Sequence, residues 1–212
     1  MNIKKHQILS EFETLDRLQC NTRLRGFDKP FVYRHADLSI VEQADISTIV
    51  PPQRYVLSGT VQDILALADA FEKRDVDVFA LKGALLFWTE EMDEWGEPIP
   101  FLPPIVEDSV ERNDQQVRLL NDGMHRVYTA RSVGRRINYI YVKGVPPEYP
   151  YYAYGFTGGW DGVKVFAELP DEFQKKDYRN PENYKALFRD FNAVFPGIQK
   201  DRKQSNPSHI KQ

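Results

Sequence analysis

The sequence predicts an α+β fold, and three stretches carry that prediction. Val61, Ile64, Leu65, Ala68 and Phe71 recur at helical spacing, so residues 61–74 read as a helix with one buried face. Ile137 to Val142 alternates Ile, Tyr, Ile, Tyr and Val with few charges, the pattern of a strand. Between them Val117–Asn121 reads as a short strand, Gly123 breaks it, and Met124–Val133 reads as a helix that Gly134 stops.

The remaining elements follow in order. Ile8, Phe12, Leu15 and Leu18 space an amphipathic helix over residues 4–19. Residues 21–37 read as loop around Gly26 and Pro30, and His35 there receives no role. Ile46–Val50 is a strand candidate ended by Pro51-Pro52. Thr60 to Asp63 resembles a capping box, with Asp in the usual Glu place. Val76–Leu81 alternates as a short strand. Leu85–Trp95, apolar then acidic, reads as a helix or an irregular excursion. Pro98, Pro100, Pro103 and Pro104 forbid a regular central strand there. Ile105-Val106 starts a strand, and Glu107–Asp114 reads as an acidic loop. Residues 145–162, rich in Pro, Gly and Tyr, form a long structured loop. Val163–Phe166 is a short strand. Pro181–Phe195 reads as a helix with Tyr184, Leu187, Phe188 and Phe191 on one face. The tail after Lys200 reads as disordered. This divides the chain into an extension over 1–44, a core over 45–145, an aromatic loop and helix over 146–199, and a tail over 200–212.

Composition narrows the function classes. Of 212 residues, 42% are hydrophobic and 28% charged, as in an ordinary globular chain. No apolar run is long enough to cross a bilayer, and the first residues lack the apolar core of a secretory signal. The net charge of −3 gives no general basic field for nucleic acid. Cys20 is the only cysteine, so an internal disulfide and a cysteine metal cage are excluded, and a reducing cytoplasm is the expected home.

The chemistry concentrates at Asp122-Gly123-Met124-His125-Arg126. A strand enters a helix through a glycine, so free backbone N–H groups and the helix dipole favour an anion there. Gly123 lets a ligand approach the backbone closely. His125 and Arg126 lie in the first turn, and the arginine fork suits phosphate. Asp122 either caps the helix or holds a catalytic group or metal. Asp-Gly is also an ordinary turn, and the flanking strand–turn–helix–strand is the context that raises this one to a candidate site.

Asp122 to Gly134, followed by the strand at 137–142, resembles the core box of the ParB/sulfiredoxin superfamily. Ile49-Val50-Pro51-Pro52-Gln53-Arg54 before the helix resembles its first box. The resemblance covers roughly residues 45–145 and implies a mixed sheet flanked by helices. Sulfiredoxins carry a cysteine in the turn, where this chain has Met124. Chromosome-partition members bind a cytidine nucleotide and add a helical DNA-binding domain, and no helix-turn-helix pattern is evident here. The free-serine kinases carry Asp-Gly-His-His-Arg, the form nearest to Asp122–Arg126. That similarity implies a nucleotide-binding phosphotransferase acting on a small hydroxyl-bearing substrate, with ATP or ADP and Mg²⁺. It places nucleotide phosphate on Asp122, Gly123, the Met124 backbone, His125 and Arg126, and a metal on Asp122. The kinases carry a catalytic Glu after the first-box proline, where this chain has Gln53.

Catalytic carboxylates are then sought in Asp122, Glu107, Asp108 and Glu111, because phosphoryl transfer needs positioning and a group to orient the nucleophile. Tyr152, Tyr154, Trp160 and Arg54 are candidate substrate contacts, with aromatics able to stack a base or cover a substrate. Lys175, Lys176 and Arg179 either reach a phosphate or lie on the surface. Two alternatives stand beside the phosphotransferase: a non-catalytic nucleotide sensor or adaptor, and a ParB-like nuclease or DNA-associated protein.

Overall fold

The computed structural model describes residues 1–93 and 96–195. The core is a four-stranded mixed sheet of β3 (Asp37–Ala44), β7 (Ile105–Val110), β8 (Gln116–Asp122) and β9 (Ile137–Lys143), in the order β3-β9-β7-β8. β9 is central, antiparallel to β3 and parallel to β7, and it is buried from Ile137 to Val142. β7 and β8 pair antiparallel. Helices α2 (Ser58–Glu72) and α3 (Met124–Ser132) pack on each other beside this sheet. The α+β class is thus observed, with the sheet mixed. It takes in β3, which precedes the expected core start at residue 45.

A second, three-stranded sheet orders β1 (Ile3–Ile8), β5 (Leu85–Thr89) and β6 (Ile99–Phe101) as β1-β5-β6. Residues 4–8 are therefore strand, not helix. The helix α1 (Glu11–Asn21) begins only after Ser10, whose Oγ accepts from the Glu13 N–H at 3.2 Å while Glu13 Oε2 accepts from the Ser10 N–H at 3.0 Å. This reciprocal cap ends the helix on its amino-terminal side, and the β5 edge supplies partners to the residues before it. Leu85–Thr89 is likewise strand, not helix, an aromatic-rich run too short for a stable helix. Trp95, the end of that expected helix, lies outside the described residues. Pro100 is accommodated because β6 is an edge strand.

The other differences have local causes. Ile46–Thr48 is a 3-10 turn, and only Val50 bridges to Leu119 of β8. α2 starts at Ser58 with Leu57 as its cap, so Thr60 lies inside the first turn. Residues 76–81 form no strand, although Val78, Phe79 and Leu81 are core residues. β7 runs through the expected acidic loop as far as Val110, because its charges find partners: Arg189 for Glu107 and the Tyr141 hydroxyl for Asp108. Strand β4 (Tyr55–Leu57) pairs parallel with β10 (Lys164–Phe166). Residues 145–162 are irregular, as the breakers dictate.

Pro181–Phe195 is not a helix. It is a 3-10 turn at Tyr184–Leu187 and a two-residue strand, β11 (Arg189–Asp190), paired with β2 (Arg23–Leu24). Phe191, Val194 and Phe195 instead fill the core between β9 and the amino-terminal segment. The chain after residue 195, including the expected tail, lies outside the described residues. Among the described residues no helix is long and apolar enough to cross a membrane.

Candidate functional site

The strand β8 ends at Asp122 and α3 begins at Met124. Gly123 joins them at φ 95° and ψ 24°, a left-handed conformation that glycine adopts without penalty. A Cβ there would come within 2.9 Å of the Arg126 Nε and of the Pro104 Cβ. The cap residue of α3, Gly123, has no side chain to bond the first turn. The first-turn N–H groups lack carbonyl partners within the helix and point out of its amino-terminal end.

That end opens on a cleft of about 1140 Å³. Asn121 to Arg126 line one side with Phe101, Leu102 and Ile105. Residues Lys175, Lys176, Tyr178, Tyr184 and Lys185 line the other, and Tyr152 and Gln53 lie between. The five residues expected to grip a phosphate are thus together on the cleft, joined by Tyr152, Lys175 and Lys176.

Arg126 is fixed on two sides. One amino group forms an ion pair with Asp122, and the other donates to the Leu102 carbonyl at 2.5 Å. Both side chains are largely buried. His125 Nε2 accepts from the Leu57 N–H at 3.0 Å, which ties α3 to the start of α2. An accepting nitrogen requires neutral imidazole. Burial lowers the His125 pKa, the Arg126 charge lowers it further, and Asp122 opposes both.

Lys176 is reached through a chain of hydrogen bonds from β8. The Tyr151 hydroxyl donates to the Asn121 carbonyl at 3.4 Å, and Lys176 Nζ donates to the Tyr151 and Tyr152 hydroxyls at 2.9 and 2.5 Å. An ammonium has three donors, so one remains for a ligand.

Other expected site residues are placed elsewhere. Glu107 is a core residue, 1% exposed, paired with the equally buried Arg189. Arg189 donates from Nε to Glu107 Oε1 at 3.0 Å and from Nη2 to Oε2 at 2.7 Å. Its other donors go to the carbonyls of Tyr149, Pro150 and Leu187, so all five N–H groups are used. Burial opposes the arginine's charge, but Glu107 and Tyr33 outweigh it and raise its pKa. The Tyr33 hydroxyl and the Asn121 amide also donate to Glu107 Oε1. Burial, then the Glu107 charge, holds the Tyr33 phenol well above its usual pKa, which keeps that O–H a donor. Glu107 is therefore a structural anchor facing the core.

Glu111 Oε2 accepts from the Gly155 N–H at 2.9 Å, while Oε1 meets Ser109 and Arg179, away from the cleft. Trp160 is in the core, donating to the Ile49 carbonyl at 2.7 Å. Tyr154 lies under the guanidinium groups of Arg112 and Arg179. Arg54 donates to Gln174 at 2.8 Å and covers Phe156. Among the described residues, Asp122 is the one carboxylate that lines the cleft, and no group of three or more His, Cys, Asp or Glu converges to hold a metal. A divalent ion would take Asp122 together with oxygens of its ligand and water.

The sequence reading missed Tyr178, Tyr184, Lys185 and Arg25. The signal was present as cations interleaved with tyrosines, in Lys175-Lys176-Asp177-Tyr178 and Tyr184-Lys185.

The ParB CE domain profile matches residues 13–164. The chain belongs to the ParB CE domain family. The ParB CE match contains Asp122–Arg126 and stops before the cleft side at residues 175–186. A crystal structure of protein Atu1540 from Agrobacterium tumefaciens is similar over 65% of this chain and 44% of that one, at 17% identity and a TM-score of 0.27. This chain thus spans less than half of that protein. No curated protein matches it.

Proposed function

We propose that the cleft binds a nucleotide, with its phosphates at the start of α3 and its base toward Tyr152. The observation that carries this reading is the glycine-capped first turn of α3 opening on a cleft lined by several cations and, among the described residues, one carboxylate. Arg126 is already oriented by Asp122 and Leu102, so it loses little freedom on binding. Lys176 faces the same end of β8 with a donor to spare. Asp122 supplies a carboxylate for Mg²⁺ beside the phosphates.

Phosphoryl transfer from ATP or ADP to a small hydroxyl compound is the activity proposed for such a site. It asks Asp122 to serve alone, because Glu107 and Glu111 are engaged elsewhere. That same observation favours a second reading, a nucleotide sensor that binds without turnover.

Thermal unfolding with ATP, ADP and CTP, each with Mg²⁺, tests the binding. A ligand at 100 times its Kd stabilises by about 2.7 kcal/mol and raises Tm accordingly. Arg126→Ala removes a charged hydrogen-bonding partner and is expected to weaken binding roughly 10- to 100-fold. If no nucleotide raises Tm and Arg126→Ala alters no ligand response, the reading fails. Turnover across a panel of hydroxyl acceptors then marks a transferase, and binding without turnover marks a sensor.

A further inference from the structure

We infer that the cleft continues beyond the first nucleotide into a second subsite, and that its ligand class is short single-stranded nucleic acid. This rests on the reading of the α3 turn as the first phosphate site. Three observations extend it.

The first is size. Pockets for single small ligands hold about 300–1000 Å³, and this cleft holds about 1140 Å³. The second is charge. Arg25, Lys175 and Lys185 line the far side, in addition to Lys176 and Arg126, against the single carboxylate of Asp122 among the described residues. This concentration of cations occurs in a chain of net charge −3, so it is a feature of the groove, not of the protein as a whole. The third is the aromatic surface. The partly exposed Tyr178 and Tyr184 rings stack with centroids 3.9 Å apart, backed by the buried Tyr152 ring. A basic groove with adjacent aromatic rings is the arrangement that holds single strands, since every base offers a face to stack.

The backbone links the two sides of the cleft. Lys176 bridges to Gln53, and the Arg54 N–H donates to the Lys175 carbonyl at 3.1 Å. From Gln53 the chain runs to Leu57, whose N–H is held by His125 at the start of α3.

Fluorescence anisotropy with the full chain tests this, using thymidine oligomers of one, two, four and eight nucleotides (the mononucleotide by displacement) and a duplex octamer. Affinity is expected to rise about tenfold or more from one to four nucleotides, the gain of one stacked base. The salt dependence should steepen by about 0.7 in log–log slope for each phosphate added. Lys175→Gln with Lys185→Gln is expected to remove the gain with length and about 1.4 of that slope. Tyr184→Leu should lower tetramer affinity about tenfold. If the mononucleotide binds and length adds nothing, the second subsite is overturned while the nucleotide site stands. If neither mononucleotide nor oligomer binds, both readings fall. Duplex binding as tight as the single strand overturns the ligand class, and tetramer binding indifferent to Arg126→Ala overturns the continuous groove.

Discussion

The two sides of the cleft are built by different means. The α3 side is made locally. Asp122 pairs with Arg126 four residues on, Gly123 makes the turn, and the Thr129 hydroxyl donates to the His125 carbonyl at 2.7 Å one turn back. The side at residues 175–188 has almost no regular structure and is held by bonds to distant parts of the chain. Lys176 reaches Tyr151 and Tyr152, residue 176 bridges to Gln53, and Arg189 anchors the segment to Glu107 in the core. The turn itself is thus set by a short stretch of sequence, with Leu102 and Leu57 holding its side chains, while the other side depends on long-range contacts throughout. The family profile follows the same division, covering the first side and ending before the second.

The largest expected effect comes from cutting the long-range anchor. Arg189→Met leaves Glu107 buried without its partner and is expected to destabilise by about 3–5 kcal/mol. Denaturant unfolding measures the loss. Hydrogen exchange should show residues 175–190 opening more than α3, and equal opening of both sides would break the comparison. Next is Gly123→Ala, which forces an alanine into a left-handed conformation and pushes its Cβ against Arg126 and Pro104. An expected cost of about 1–3 kcal/mol is read from the unfolding midpoint, with nucleotide affinity falling because Arg126 must move. The smallest effect is acidification. His125 has a folded pKa below 6.5, so the unfolded chain takes up the proton first. Stability from this group is complete above about pH 6.5 and declines as pH falls from there through the lower folded value. Exchange at α3 and at the start of α2 should rise over that window, and His125→Gln should flatten the dependence.

The same division explains what was legible in the sequence. Gly123, the apolar strand of β9 and the spacing in α2 are local signals, and the structure has those elements close to where they are expected. Glu107 looked like a loop carboxylate because nothing near it in sequence reports that Arg189 neutralises it. Leu85–Thr89 was ambiguous because periodicity in a short apolar run does not separate strand from helix, and only its pairing with β1 and β6 decides it. Tyr184, Leu187, Phe188 and Phe191 do share helical spacing, but the backbone turns extended at Phe188 and Arg189–Asp190 pairs with β2, a long-range partner that local spacing does not report. Trp160 and Tyr154 were candidates by aromatic type alone, and contacts with Ile49, Arg112 and Arg179 place them away from the cleft. No part of the local sequence around Tyr178 signals the cleft wall except its neighbouring lysines.

The Glu107–Arg189 pair also bears on how the protein is made. Its partners are 82 residues apart, so at roughly 5–20 residues per second the ribosome delivers the arginine about 4–16 s after the glutamate. Until then β7 cannot bury that carboxylate at low cost, and the central sheet has a reason to stay open or partly hydrated. The arrival of Arg189 supplies the partner of that carboxylate and, through the same side chain, an anchor for the segment that carries the second side of the cleft. That anchor is therefore available only once nearly all the described residues have been translated.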